Sequence, residues 1–198
     1  MFRHFSKFYL KQAGWKIEGE IDHDVKKFIG IVGPHTSNYD FFIGLMIRSV
    51  MNLQASKFLG KSQLFKFPYG ILFRKLGGYP VERSKNNNLV ESVVEIFNAH
   101  DEFAIGLAPE GTRSKVTRLK TGFYHIARKA NVPILMIGMD FSTKTVVFRP
   151  FFYPTTDAVA DFKEIIGFFS QFKGAVPEKG ITMEVFEQMK PDLETMVF

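Results

Sequence analysis

His35 and Asp40 are the two residues whose types and spacing best suit proton transfer in this chain. They bracket the segment Pro-His-Thr-Ser-Asn-Tyr-Asp at 34–40. A histidine takes up and returns a proton near neutral pH, and a carboxylate within reach fixes its tautomer and stabilises the charged ring. Such a dyad, with no nucleophile of its own, suits activation of a substrate hydroxyl, worth on the order of 10²–10⁴ in rate. A capping aspartate beside a loop histidine would give the same spacing with no chemistry. A second polar cluster, at 108–114, holds Glu110, Gly111, Thr112 and Arg113. It offers a glycine for close backbone approach, a hydroxyl, and a guanidinium for an anion. Glu110 among these groups is awkward for plain phosphate binding and is read as orienting an arginine. Without chemistry, this cluster is a polar turn with a surface ion pair. A third segment, 57–85, carries seven lysines and arginines against one acid, Glu82, with phenylalanines and Tyr69 interleaved. Near its end Gly77 and Gly78 precede Arg83 and permit a tight turn that would bring its guanidinium toward the other two loops. Such interleaving suits single-stranded nucleic acid, a membrane interface, or simply a solvated basic face.

Regular elements must hold these loops in place. An apolar run at 28–32 reads as a buried strand that ends just before His35, and 39–52 reads as the helix that follows. Ser37 or Asn38 would cap that helix, placing Asp40 in its first turn, where the helix dipole favours a carboxylate. Residues 103–108 form a strand that runs into the second cluster. Further strands are expected at 55–59, 132–139 and 145–148, and helices at 119–130 and 159–172, with another on the apolar face of Leu89, Val93 and Phe97. Strands alternating with helices predict an α/β fold with a mainly parallel sheet flanked by helices. Chemistry in such folds gathers at strand ends. Residues 1–17 hold four cations, no acid, and Phe2, Phe5, Phe8 and Tyr9 at helical spacing. That predicts a basic amphipathic helix, docked on the core or lying on a membrane surface. The tail after 173, punctuated by Gly174, Pro177, Gly180 and Pro191, reads as the least structured part.

The whole chain, 1–198, is expected to form a single domain, and its composition excludes several classes. With no cysteine there is no disulfide scaffold, thiolate metal site or thiol nucleophile. The Gly60-Lys61-Ser62 triplet lacks the earlier glycine of a phosphate loop, since position 55 is alanine. No histidine spacing suits a metal, so none is expected. The net charge of +6 implies an anionic partner. No run reaches the roughly 18 apolar residues of a spanning helix, and the N-terminus does not resemble a secretory signal. The expectation is a cytoplasmic protein, peripherally associated with a membrane.

Taken together, these segments resemble the glycerophospholipid (lysophospholipid) acyltransferase family, whose best-known members acylate 1-acylglycerol-3-phosphate. Four of its blocks occur in order: His35 with Asp40, Gly77 followed six residues later by Arg83, Pro109 to Arg113 as Pro-Glu-Gly-Thr-Arg, and the apolar Val132-Pro133-Ile134. Pro34 and Ala108 depart from the residues usual at those places. The resemblance implies that His35 removes the acceptor hydroxyl's proton and Asp40 holds its tautomer. It further implies that Gly77, Arg83, Glu110, Gly111, Thr112 and Arg113 bind the acceptor, and that Pro133 shapes the acyl-donor side. The implied reaction moves an acyl chain from acyl-CoA or acyl carrier protein, as co-substrate, to a lysolipid hydroxyl, with no cofactor. An anionic membrane surface is the implied partner, and nucleic acid is not. The alternatives are a non-catalytic lipid- or nucleic-acid-binding module and a thioester hydrolase.

Overall fold

The computed structural model describes residues 2–53, 56–81 and 89–196. A seven-stranded sheet forms its centre. In spatial order the strands are β1 (Lys16–Glu18), β7 (Thr145–Phe148), β6 (Ile134–Asp140), β2 (Lys27–Gly33), β5 (Phe103–Leu107), β3 (Ser56–Lys61) and β4 (Gly78–Val81). All neighbours are parallel except the antiparallel pair β6–β7. This is the expected α/β class.

The strands read as continuous apolar runs because both faces of the sheet are covered. Phe28, Leu135, Ile137 and Met139 pack on one face with Leu10, Ile43 and Ile47. The alternate residues Ile29, Ile31, Ile134 and Met136 pack on the other with Phe97, Phe123, Phe162 and Phe186. The first face therefore carries α1 (Phe2–Gln12) and α2 (Tyr39–Val50), the second α4 (Leu89–Ala99), α5 (Gly122–Ala130), α6 (Ala158–Phe169) and α7 (Met183–Glu194). The short α3 (Gly70–Lys75) joins the first layer. Tyr79 packs into the second-face core, so the neighbouring Gly78 faces the first, where Phe65 and Phe73 lie against it. No helix among the described residues is long and apolar enough to cross a membrane.

Several elements differ from expectation. The N-terminal helix stops at Gln12, and residues 16–18 form β1, which pairs with β7. That helix is both docked and open: Ser6 and Leu10 are buried, while Phe2, Phe5 and Phe8 are exposed. Its Tyr9 hydroxyl lies 2.6 Å from that of Tyr39 on α2. The fifth helix starts at Gly122, with Leu119 buried just ahead of it. The tail is ordered, not loose. Gly174 and Pro177 mark the turns before α7, which buries Val185, Phe186, Met189 and Leu193 despite Pro191 in its interior. The gain from burying four apolar side chains exceeds the roughly 3 kcal/mol that an internal proline costs.

Candidate active site

The parallel register brings the first two polar loops together. Ile31 of β2 stands opposite Leu107 of β5, so segments 34–38 and 108–110 leave the sheet side by side at its C-terminal end. Asp40 occupies the first turn of α2, as its spacing predicts. Asn38 occupies the N-cap position, as one of the two expected residues. Asn38 makes no side-chain cap bond, and the Ser37 hydroxyl accepts the Tyr39 N–H at 3.1 Å.

Asp40 turns back over its own loop. Its Oδ2 accepts the backbone N–H groups of Thr36 at 2.7 Å and Ser37 at 2.8 Å, and lies 3.1 Å from His35 Nδ1. With Asp40 as acceptor, this hydrogen bond uses a proton on Nδ1. Asp40 is 2% exposed, whereas the His35 side chain is 27% exposed. The pair thus joins a buried carboxylate to a partly exposed ring. Residues 36 and 37 supply donors that their types did not announce, because the donors are main-chain groups.

Glu110 sits beneath this loop. Its Oε1 accepts the His35 backbone N–H at 2.6 Å. It is 2% exposed, and burial pushes its carboxyl above the ordinary glutamate range. Glu110 Oε2 and Asp40 Oδ1 are buried and find no partner among the described residues. The carboxylate expected to orient an arginine therefore holds the main chain of the histidine. The C-terminal segment braces the same loop: the Thr36 hydroxyl accepts the Val176 N–H at 3.1 Å. A Cβ added at Gly174 would come 2.6 Å from that hydroxyl.

The remaining predicted residues separate into two groups. Gly111, Thr112 and Arg113 are exposed in the loop that follows Glu110. Gly111 has φ +68°, and the Lys120 side chain lies against it. Lys120 is a cation at this loop that the sequence pattern did not single out. Arg83 lies outside the described residues. Val81, the last residue of β4, stands opposite Lys61 of β3, at the same end of the sheet as His35. Gly77 and Pro133 are elsewhere. Gly77 precedes β4 at the far end, with φ +91°, and the Arg48 guanidinium occupies the space a Cβ would need. Arg48 in turn donates to Leu53 O at 3.2 Å and Leu76 O at 3.1 Å. Pro133 is buried just before β6, and its carbonyl accepts the Ile29 N–H at 3.0 Å. From that level to Gly33, β2 climbs four residues, about 13 Å. Neither residue is brought to the dyad.

A family model described as Acyltransferase matches residues 20–140. Comparison with curated proteins gave no match. Among solved structures, the chain resembles the crystal structure of the 1-acyl-sn-glycerophosphate (LPA) acyltransferase PlsC from Thermotoga maritima. The TM-score is 0.51 at 16% identity, over 98% of this chain and 77% of that one. At that identity the likeness is one of fold.

Proposed function

This chain belongs to the acyltransferase family, and from that premise we propose that it moves a fatty acyl group from a thioester to the hydroxyl of a lysolipid. The observation that carries the reading is the His35–Asp40 hydrogen bond, with Asp40 buried and the ring partly open. The donor is acyl-CoA or acyl carrier protein, and the acceptor is 1-acylglycerol-3-phosphate. His35 Nε2 takes the proton of the acceptor hydroxyl as its oxygen attacks the thioester carbonyl. Asp40 keeps Nδ1 protonated and stabilises the imidazolium that forms. Collapse of the tetrahedral intermediate breaks the carbon–sulfur bond, and the proton passes from His35 to the leaving thiolate. The products are a diacyl lipid and a free thiol.

Arg83, Arg113, Thr112 and the Gly111 backbone bind the acceptor phosphate in this reading, since guanidinium groups suit a phosphate dianion. Glu110 serves as a positioning residue through the His35 main chain. The protein works at an anionic membrane surface, where its acceptor resides, as a peripheral protein.

The test incubates purified protein with labelled acyl-CoA or acyl carrier protein and a panel of lysolipids, beside His35→Ala. Labelled diacyl lipid formed by the wild type and lost in the variant supports the proposal and identifies the acceptor. Full activity in His35→Ala refutes the mechanism. Thioester loss that needs no acceptor would instead assign a hydrolase, and lipid binding without turnover a binding module.

A further inference from the structure

The two helical layers differ sharply in chemistry. The described residues include twelve exposed large apolar side chains, and ten of them lie in the first layer and its connections. Segments 2–12, 39–53 and 56–81 hold nine lysines and arginines but a single acid, Asp40, which is buried. Helices α4 to α7 of the opposite layer hold eight acids and four lysines and arginines. The most exposed apolar groups cluster in one excursion between β3 and β4. Phe67 is 87% and Tyr69 70% exposed, and Ile71 and Leu72 follow on α3. Lys66 and Lys75 flank them and are exposed too. Isolated apolar residues on a surface need no explanation, but a contiguous apolar patch set among cations does.

The excursion also has a defined place. Because β3 runs parallel to β5 and β5 to β2, the chain leaves Lys61 at the same sheet end as His35. Residues 62–69 therefore begin at the mouth of the site, beside Phe42, which is exposed on the first turn of α2. From there α3 runs back toward the start of β4.

We infer that residues 66–72 form the tip by which the α1–α2–α3 face enters an anionic lipid bilayer, setting the mouth of the site against the headgroups. Aromatic side chains reach the acyl boundary while lysines remain at phosphate depth. Charge decides the occupant. A second copy meeting this face symmetrically would oppose like charges, whereas an anionic bilayer satisfies both the apolar tips and the cations. The inference rests on the acyl-transfer reading only for the identity of the lipid substrate.

Full-length protein would be sedimented with phosphatidylglycerol–phosphatidylethanolamine vesicles and with neutral phosphatidylcholine vesicles. Wild type, the double variant Phe67→Ser/Leu72→Ser, and Lys66→Gln/Lys75→Gln would be compared. Turnover would be followed in parallel on detergent-dispersed substrate. Wild type should prefer anionic vesicles, and the apolar double variant should lose about a hundredfold in partitioning. The lysine pair should lose on the order of tenfold or more, an effect that salt abolishes in the wild type. Detergent-phase turnover should be unchanged, showing that the variants fold. Unaltered vesicle binding by the Phe67/Leu72 variant would overturn the inference, as would a wild type that ignores vesicles. Self-association without lipid, abolished by the same substitutions, would assign the face to a second copy and overturn it equally. Vesicle binding by a protein with no turnover would support the docking face while removing the acyl-transfer reading.

Discussion

Replacing Glu110 separates two roles open to one carboxylate in this loop. Its Oε1 takes the His35 N–H at 2.6 Å inside a site that is 2% exposed, so alanine leaves that donor buried without an acceptor. A hydrogen bond to a charged acceptor contributes about 1.5–3 kcal/mol. If the whole loss appears as misplacement of the imidazole, kcat falls by roughly 10- to 150-fold, at about 1.4 kcal/mol per decade. The acceptor KM should stay within about threefold, because its Oε1 is engaged with the His35 main chain. Glutamine keeps an amide oxygen for the His35 N–H and should retain most of the activity. The charge has its own signature in stability. Burial raises the Glu110 pKa in the folded state, so its favourable contribution is full below the unfolded value, about 4.3, and is lost as pH rises through the folded value. Glu110→Gln avoids that loss, so its Tm relative to wild type should rise above about pH 4.3 and level off once the folded-state carboxyl is ionised. Steady-state kinetics with varied acceptor and a Tm series over pH provide both readouts. Glu110→Ala with normal kcat and a steeply raised acceptor KM would return the residue to substrate binding and refute the positioning argument.

Three further outcomes follow from packing. Gly77→Ala forces a side chain at φ +91° into the Arg48 guanidinium, 2.5 Å from the added Cβ; at about 1–3 kcal/mol it should lower Tm by roughly 2–12 °C in a thermal melt. Asp161 is buried and accepts the Tyr124 hydroxyl at 2.6 Å, the Thr155 N–H at 2.6 Å and the Thr155 hydroxyl at 2.9 Å. Asp161→Ala leaves these donors without their acceptor and should cost about 1–3 kcal/mol in denaturant unfolding, far from the dyad. Gly174→Ala places a Cβ 2.6 Å from the Thr36 hydroxyl oxygen and 2.7 Å from its methyl, so it should displace the loop that holds Asp40 and lower kcat about tenfold. Adding Thr36→Ala should restore part of that loss, and a purely additive pair would count against the mechanism.

The order of strands and helices around His35 was legible because apolar runs switch period at each boundary, and 28–32 and 103–108 fall on β2 and β5 within a residue or two. So was the contact between His35 and Asp40, since a first-turn carboxylate after a short loop reaches back by ordinary cap geometry. The Glu110 contact with His35 was hidden for a physical reason. Its partner is a main-chain N–H seventy-five residues away, and only the β2–β5 register puts them together. Gly77 looked like a binding glycine from its distance to Arg83, whereas its left-handed backbone and the space taken by Arg48 account for it. At three residues, β1 is too short to show a period, and its pairing to β7 is wholly non-local. The final helix was hidden by Pro191, whose local penalty is outweighed by core contacts that sequence windows do not contain.

The site divides by what holds each part. His35, Asp40 and Glu110 are fixed by backbone N–H groups and burial, and so inherit the rigidity of the central strands. Thr112 and Arg113 stand exposed on a loop whose backbone is tied at Gly111 and Lys120, by bonds to Ala108 O at 3.1 Å and Pro109 O at 2.8 Å. Under the proposed acyl transfer, substitutions in that loop would change acceptor preference at little cost to the fold, while changes at the buried carboxylates would alter turnover whatever the acceptor. In that reading acceptor choice and proton transfer can vary separately, because the two tasks share a sheet end but not a set of supporting bonds.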